Sequence, residues 1–318
     1  MEKELPKVLI IILTWNNYED TVKCLKSLEL LDYSNCEILV VDNGSTDGSI
    51  QRIQKEFPNY NYLLNDTNYF YSKGTNLGIE YAFSISKAEY FFLLNNDTEI
   101  VDPQTLKKLV SILQKNSSVS ACCCRAVYPD GSLQTDFYFL EFPSLFFLVK
   151  KDNFLIKFIY RKSNQFLRRI FVNNNDDKCK IVDWIPTGIS LFRREIFKQV
   201  LFNEMFPMDF SDVEFCKRAS LLGHKFMYCP NVLIVHTNNY PNHISKSNKN
   251  FLRAKKAEIL FIKEFYGGIY VLLYKLLSII NSFFYCFFLF IPVLLLRNQD
   301  LEIKFKNHYN FIFKIFSY

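Results

Sequence analysis

Three apolar runs in this chain end in polar groups of the kind that bind charged ligands. Val8–Thr14 runs out into Trp15-Asn16, Glu37–Asp42 into Asn43-Gly44-Ser45-Thr46-Asp47, and Tyr90–Leu94 into Asn95-Asn96-Asp97. A lone carboxylate flanked by amides suits a divalent cation that keeps several waters and takes its other ligands from a substrate's phosphates. An Asp at a strand end can accept hydrogen bonds from a base N–H or from ribose hydroxyls. The Gly-Ser-Thr-Asp turn leads into a helix whose first N–H groups can face an anion. Each stretch also has a plainer reading, as an Asn/Asp turn after a strand or a helix-capping turn. A fourth segment, Asn68–Gly78, places Lys73 and two glycines before a helix, suited to lie against a nucleotide.

The elements that must position these groups follow from the hydrophobic pattern. Val8–Thr14, Glu37–Asp42 and Tyr90–Leu94 are continuous rather than alternating, as buried parallel strands are. A shorter strand is expected near Tyr60–Leu64 and another at Val119–Cys124. Helices are expected after Asn16, Asn17 and Asp20, after the Gly48 turn, over Gly74–Ser86 and from Pro103, placed at a first helical position, to Lys115. Strand and helix alternate four times in the first 124 residues, which predicts a doubly wound α/β half. In such sheets ligands bind at the carboxyl ends of the strands. Beyond it, Val182–Phe192 reads as strand, Arg193–Glu195 as a helix start, Val232–His236 as a last strand and Lys246–Lys263 as an amphipathic helix.

Charge divides the chain. Residues 1–142 carry 12 Lys/Arg against 19 Asp/Glu, and residues 143–318 carry 26 against 13. The back half is therefore built to meet something anionic. Between 137 and 180, apolar and basic residues interleave at helical spacing, with Lys150, Lys151, Arg161, Lys162, Arg168 and Arg169 among Phe and Leu. This insert reads equally as a helix packed on the domain or as a surface lying on anionic lipid. Leu276–Leu296 is uncharged and long enough to cross a hydrocarbon core of ~30 Å. Asn281, Ser282 and Pro292 interrupt it, and basic residues flank both ends, so the positive-inside rule assigns no orientation. A re-entrant or in-plane helix fits as well as a span. Basic residues set among Phe/Leu runs favour lipid over nucleic acid. Met1–Pro6 is polar and Val8–Leu13 has only a strand's length, so no secretory signal is expected. The nine cysteines lack zinc-type spacing and read as reduced thiols of a cytoplasmic protein.

Taken in order, the motifs resemble those of glycosyltransferase family 2, and among its members the rhamnosyltransferase-like branch that builds bacterial surface polysaccharides. ILTWNN, VVDNGSTDGS, NYFYSKGTNLG and LLNNDTEI are similar to the family's opening strand, nucleotide turn, glycine loop and a variant DxD motif. PTGISLFRREIF and FNEMFPMDFSDVEFCKRASLLG are similar to its acceptor-side segments. The resemblance covers about the first 260 residues. It implies a GT-A fold, α/β and Rossmann-like with a mostly parallel sheet, over 1–266, and the apolar run beyond it marks 267–318 as a membrane-associating tail. It implies that Thr14, Asn16, Asp42, Asn43, Ser45, Lys73, Asn76 and Asn96 lie on the nucleotide side. Asp97, with His236, would hold Mg²⁺ or Mn²⁺ on the diphosphate, and Asp212 would be the catalytic base. Trp184, Gly188 and Glu214 would face the sugars.

The partners implied are a UDP- or dTDP-linked sugar, a glycan or lipid-linked oligosaccharide acceptor and the anionic cytoplasmic face of a bacterial membrane, reached peripherally, monotopically or by one span. With one recurring base, ionised at an ordinary carboxylate pKa near ~3.9, direct displacement with inversion is expected. Three departures stand out. Phe70 occupies the place of the loop's first Gly, Ser211 that of the Glu before the base, and Glu214 that of the motif's second Asp. They leave open a non-catalytic sugar-nucleotide-binding protein. A sugar nucleotidyltransferase is disfavoured, because no Gly-rich phosphate loop follows the first strand.

Overall fold

The computed structural model describes residues 5–134, 140–144, 148, 178–237, 248–296 and 298–317. Most of the basic-aromatic insert expected over 137–180, including all six of its named basic residues, lies outside them. The chain forms two compact units. One combines Met1–Phe142 with Asp177–Asn238, and the other combines Pro143–Asp176 with Asn239–Tyr318. The 248–265 helix thus groups with the tail, whereas the boundary expected from the sequence was at 266.

In the first unit, β1 (Val8–Thr14), β2 (Cys36–Asp42), β3 (Asn61–Leu64) and β4 (Tyr90–Asn95) pair in parallel in the order β3-β2-β1-β4. Helices α1 (Tyr18–Leu28), α2 (Ser49–Glu56) and α3 (Phe70–Ile85) connect them. The sheet continues through β8 (Ile189–Arg193), β6 (Ala121–Val127), β9 (Phe226–His236) and β5 (Thr98–Ile100), with β7 (Lys180–Val182) on β9. β8 is antiparallel to both β4 and β6, and β9 is parallel to β6. The carboxyl ends of β1, β2, β4 and β9 and the amino end of β8 therefore share one edge. The first four strands form the parallel α/β half that the strand pattern predicts, but β5, β7 and β8 pair antiparallel, so the Rossmann-like sheet is mixed where a mostly parallel one was expected.

Alternate residues of β1 enter two cores. Val8, Ile10 and Ile12 pack with α1, α2 and α4 (Thr105–Lys115). Leu9 and Ile11 pack with α3, a 3₁₀ turn (Arg194–Lys198) and α5 (Ser211–Leu221). All of these β1 residues are at most 3% exposed, which explains an apolar run without alternation.

Several boundaries moved, each for a local reason. Asp102 accepts from the Gln104 amide at 2.9 Å, forming a turn that delays α4 to Thr105, beyond Pro103. β9 begins six residues before the expected Val232. Its register against β6 slips between Cys124 and Arg125, where Pro230 is accommodated in a bulge. β5, three residues long, carries too little pattern to be expected. The nine cysteines are all free thiols.

Candidate active site

Strand register brings the sequence motifs level. Thr14 pairs with Asp42 across β1–β2, and Leu13 with Asn95 across β1–β4. From the antiparallel side, the Asn95 amide donates to the Gly188 carbonyl at 2.7 Å. A Cβ on Gly188 would lie 2.1 Å from Asn95 Oδ1, so only glycine lets β8 reach this edge.

The turn after β4 leads into β5, which pairs with the end of β9 so that Thr98 faces His236. The Thr237 amide donates to the Asp97 carbonyl at 2.9 Å, fixing Asp97 beside the histidine. Asp97 Oδ1 and His236 Nε2 are 3.2 Å apart. Gln134 sets the tautomer. Its amide N–H donates to the His236 carbonyl at 2.5 Å, leaving its oxygen 2.9 Å from Nδ1. Nδ1 then carries a proton, and Nε2 is the ring nitrogen that faces the carboxylate. An imidazole nitrogen and a carboxylate oxygen so placed touch directly here, and the same two atoms would serve as ligands of a divalent ion such as Mn²⁺. Among the described residues no cluster of three or more His, Cys, Asp or Glu is placed to hold a metal. The ion's remaining ligands would therefore be phosphate oxygens and water.

A cleft of about 170 Å³ opens at this edge, lined by Gly188, Asp212 and His236 and also by Tyr71, Asn95 and Met208. Asp212 lies in the first turn of α5, one turn before Phe215 and Cys216, which are completely buried. Phe215 stacks on Phe202 at 4.6 Å and so anchors that helix face to the core. Thr187 donates a short hydrogen bond to Asp212 Oδ1. The Tyr71 hydroxyl is 2.7 Å from Thr187 Oγ1 and, with that proton already committed to Asp212, must be the donor. Burial pushes the Asp212 carboxyl up to about 6, while the Thr187 hydrogen bond opposes the rise. The ordinary value expected from sequence does not hold. Burial, and next the Asp212 charge, push the Tyr71 phenol well above its usual range, which keeps it a neutral donor.

On the nucleotide side many polar atoms serve the backbone. Asp42 accepts from the Ser45 amide at 3.1 Å and from its hydroxyl at 2.5 Å. Asn16, at φ +48°, receives the Thr46 amide at 2.8 Å and donates its own N–H to Ser45 Oγ at 2.9 Å. Asn96 donates to Thr21 at 2.9 Å and to Thr14 at 3.3 Å. Asn43 ties the end of β2 to the Asn68 side chain and the Phe70 carbonyl, both at 3.0 Å. Lys73 extends over the Tyr69 ring at 4.5 Å and toward Glu204 at 4.0 Å.

Three of the expected contacts have other partners here. Asn76 is buried and makes paired bonds with the Phe202 backbone, at 2.8 and 2.9 Å. Glu214 is fully buried against Arg218 and accepts from Asn203 at 3.1 Å. Trp184 donates to the Glu141 carbonyl at 3.1 Å and does not line the cleft.

Two features of the 68–78 segment also acquire physical reasons. Gly74 and Gly78 lie inside α3, where added Cβ atoms would come within 3.0 Å of Asn43 and 2.8 Å of Val41. They serve close helix–sheet packing. Phe70 adopts φ +59°, a left-handed conformation natural to the glycine it replaces. Thr187, Tyr71 and Gln134 escaped the sequence reading. None belongs to a charged cluster, and Tyr71 and Thr187 are 116 residues apart.

A family model described as Glycosyl transferase family 2 matches residues 9–201. The chain is 24% identical over 196 residues to the GalNAc(5)-diNAcBac-PP-undecaprenol beta-1,3-glucosyltransferase of Campylobacter jejuni, covering 61% of this chain and 62% of that protein. It is 23% identical over 223 residues to an uncharacterized glycosyltransferase of Haemophilus influenzae, covering 69% and 61%. The chain thus spans about three-fifths of the length of these curated relatives. In fold it is similar to the Pyrobaculum calidifontis mannosyltransferase PcManGT, solved with GDP-Man and Mn²⁺. The TM-score is 0.55 at 15% identity, covering 87% of this chain and 71% of that one. Staphylococcus aureus TarS (1–349) gives a TM-score of 0.51 at 17% identity, covering 81% and 65%. The matched region contains every strand-end motif from β1 to β8, and the chain belongs to glycosyl transferase family 2.

Proposed function

We propose that this chain transfers a sugar from a nucleoside-diphosphate donor to a hydroxyl of a glycan acceptor, with inversion at the anomeric carbon. The observation that carries this reading is a single carboxylate, Asp212, held by Thr187 at the cleft that His236 also lines. Asp212 Oδ1 is engaged by Thr187, and its second oxygen takes the acceptor proton as the hydroxyl attacks. The new glycosidic C–O bond forms on the face opposite the breaking sugar–phosphate bond, whose electron pair leaves with the nucleoside diphosphate. A carboxyl near 6 is mostly ionised at neutral pH and is a stronger base than an ordinary Asp.

A divalent ion bound by Asp97 and His236 would supply positive charge to the departing diphosphate. Gly188 lets Asn95 close against β8, and Asn43 and Asp42 hold the turns that shape the donor side. The donor is a UDP- or dTDP-linked sugar. The acceptor is a lipid-linked oligosaccharide at the cytoplasmic face of a bacterial membrane, in the biosynthesis of a surface polysaccharide. The Campylobacter relative, named for an undecaprenol-linked substrate, supports that acceptor class.

The test is a screen of UDP- and dTDP-sugars with Mn²⁺ and membranes containing undecaprenyl-linked acceptors, with the anomeric configuration of the product read by NMR. Transfer with inversion is expected. A retained configuration would overturn the one-base mechanism. Donor binding without transfer or hydrolysis would favour a non-catalytic sugar-nucleotide-binding protein, consistent with Ser211, whose hydroxyl is spent on the Met208 carbonyl at 2.8 Å.

A further inference from the structure

The tail unit contains α6 (Asn248–Phe265), α7 (Gly268–Leu296) and α8 (Gln299–Lys314), and each packs against the other two. α7 reverses the usual distribution of polarity. Its buried residues include Tyr274, Lys275, Ser278, Asn281 and Ser282, which recur at helical spacing on one face. Leu276, Ile280, Phe283, Phe287 and Phe290 are among those left at least 41% exposed. The inward polar groups have partners. Tyr274 donates to Glu258, Lys255 reaches Glu258 at 2.7 Å and Tyr274 at 3.0 Å, and Ser282 lies 3.0 Å from His308. A helix that satisfies its polar face inside the protein and turns its apolar face outward is built for a surrounding less polar than water.

Length and charge decide how it meets that surrounding. At 29 residues α7 is about 43 Å long, against a hydrocarbon thickness of ~30 Å. Beside it, Phe251 meets His308, which stacks on Tyr285 at 3.9 Å, while Lys255 reaches Tyr274. The contacts step backwards along α7, from Tyr285 by way of His308 for Phe251 to Tyr274 for Lys255, so α6 and α7 run in opposite senses. α6 exposes Lys249, Lys256 and Lys263, one at every seventh residue. That row extends about 21 Å along the axis, whereas a headgroup layer is only about 5–8 Å deep. All three lysines reach one headgroup layer only if the axis lies in the membrane plane. At the other end of α7, Phe290 packs on Phe305 of α8, which exposes the Glu302–Lys306 pair at 2.6 Å.

We propose that the tail is an in-plane raft on one anionic leaflet: the apolar face of α7 lies among the acyl chains, the α6 lysines meet anionic headgroups, and α7 does not cross the bilayer. This rests on the membrane location proposed above and fixes its topology.

The test uses the full chain with sealed vesicles of phosphatidylcholine and phosphatidylglycerol. Leu273→Trp, Phe283→Trp and Leu294→Trp are made singly, and quenching by lipids brominated at shallow or deep acyl positions is read against the parent protein. The raft predicts the same shallow preference at all three positions. Deep quenching at 283 with shallow quenching at 273 and 294 would mean a span and would overturn the raft while leaving attachment intact. No binding to vesicles would overturn both, and donor turnover measured in detergent would still test the transfer chemistry by itself. Should a tryptophan variant fail to fold, Lys249→Gln/Lys256→Gln/Lys263→Gln provides a second reading. At roughly fivefold per lysine, binding to the anionic vesicles should weaken about 100-fold; unchanged binding would overturn the headgroup contact.

Discussion

The first core and helix α7 are made of the same residue types arranged in opposite senses. In the sheet unit, β1 buries Ile10 and Ile12 completely and releases its polar groups only at one edge. In α7, Asn281 and Ser282 are buried, and Phe283 and Phe287 are 59% and 76% exposed. Hydrophobic burial is favourable by about 25 cal/mol per Å² of apolar surface removed from water. The sheet unit gains that term by folding on itself, and the exposed face of α7 would gain it only from an apolar surrounding. The contrast extends to polar groups. Those in the tail close on one another, while Asp212 and His236 line an open cleft at the sheet edge.

Substitutions at that sheet edge should have the largest effects. Asp212→Asn should lower transfer by roughly 10²–10⁴-fold and leave nucleoside-diphosphate affinity intact, measured by steady-state kinetics and calorimetry. Its Tm at pH 7 should stay equal or rise. The folded carboxyl titrates near 6, above its ordinary 3.8, so the native state binds the proton more tightly and Asp212 favours folding only as pH falls below about 6. A large loss of Tm would instead make Asp212 a structural residue.

His236→Ala should weaken Mn²⁺ binding in the presence of nucleoside diphosphate by about 10–100-fold, the range typical of shell disruptions at metal sites, read by manganese EPR. Asn76→Ala removes both bonds to the Phe202 backbone and should cost about 1–3 kcal/mol in denaturant unfolding. Donor KM should be little changed if its role is to join α3 to the 202 segment.

Thr187→Val should move the acid limb of the kcat profile upward from about 6, because a hydrogen bond that favours the ionised carboxylate is lost. Thr187→Ser should restore the limb, which a purely packing role would not predict. The smallest effect belongs to Phe70→Gly, which should stabilise the sheet unit by about 1 kcal/mol through relief of its left-handed backbone, read as Tm.

Much of the fold was legible in the sequence, because buried parallel strands and amphipathic helices impose local periods. VLIIILT, EILVVD and YFFLL became β1, β2 and β4 within a residue or so, and the family followed from motifs fixed at their ends. β5 and the early start of β9 were not legible, because a three-residue strand and a Pro-containing bulge have no period to detect. Candidate site residues divided in the same way. Asp97 and Asp212 were visible as carboxylates within motifs. Asn76 and Glu214 were visible as polar residues in the same motifs, yet each is committed to the backbone or to Arg218.

By itself the sequence determined the α/β class, the family and the carboxylates available for chemistry, since each depends on residues close along the chain. Only the tertiary structure decided which polar groups remain available at the sheet edge. Strand register sets Asp97 against His236, and the approach of α3 to the 186–188 turn links Tyr71 through Thr187 to Asp212. The sense of α7 was likewise undecided until α6 and α8 took up its polar face. The physical reason is common to both: a hydrogen bond or a buried face depends on what packs opposite, and that partner lies far away in the chain.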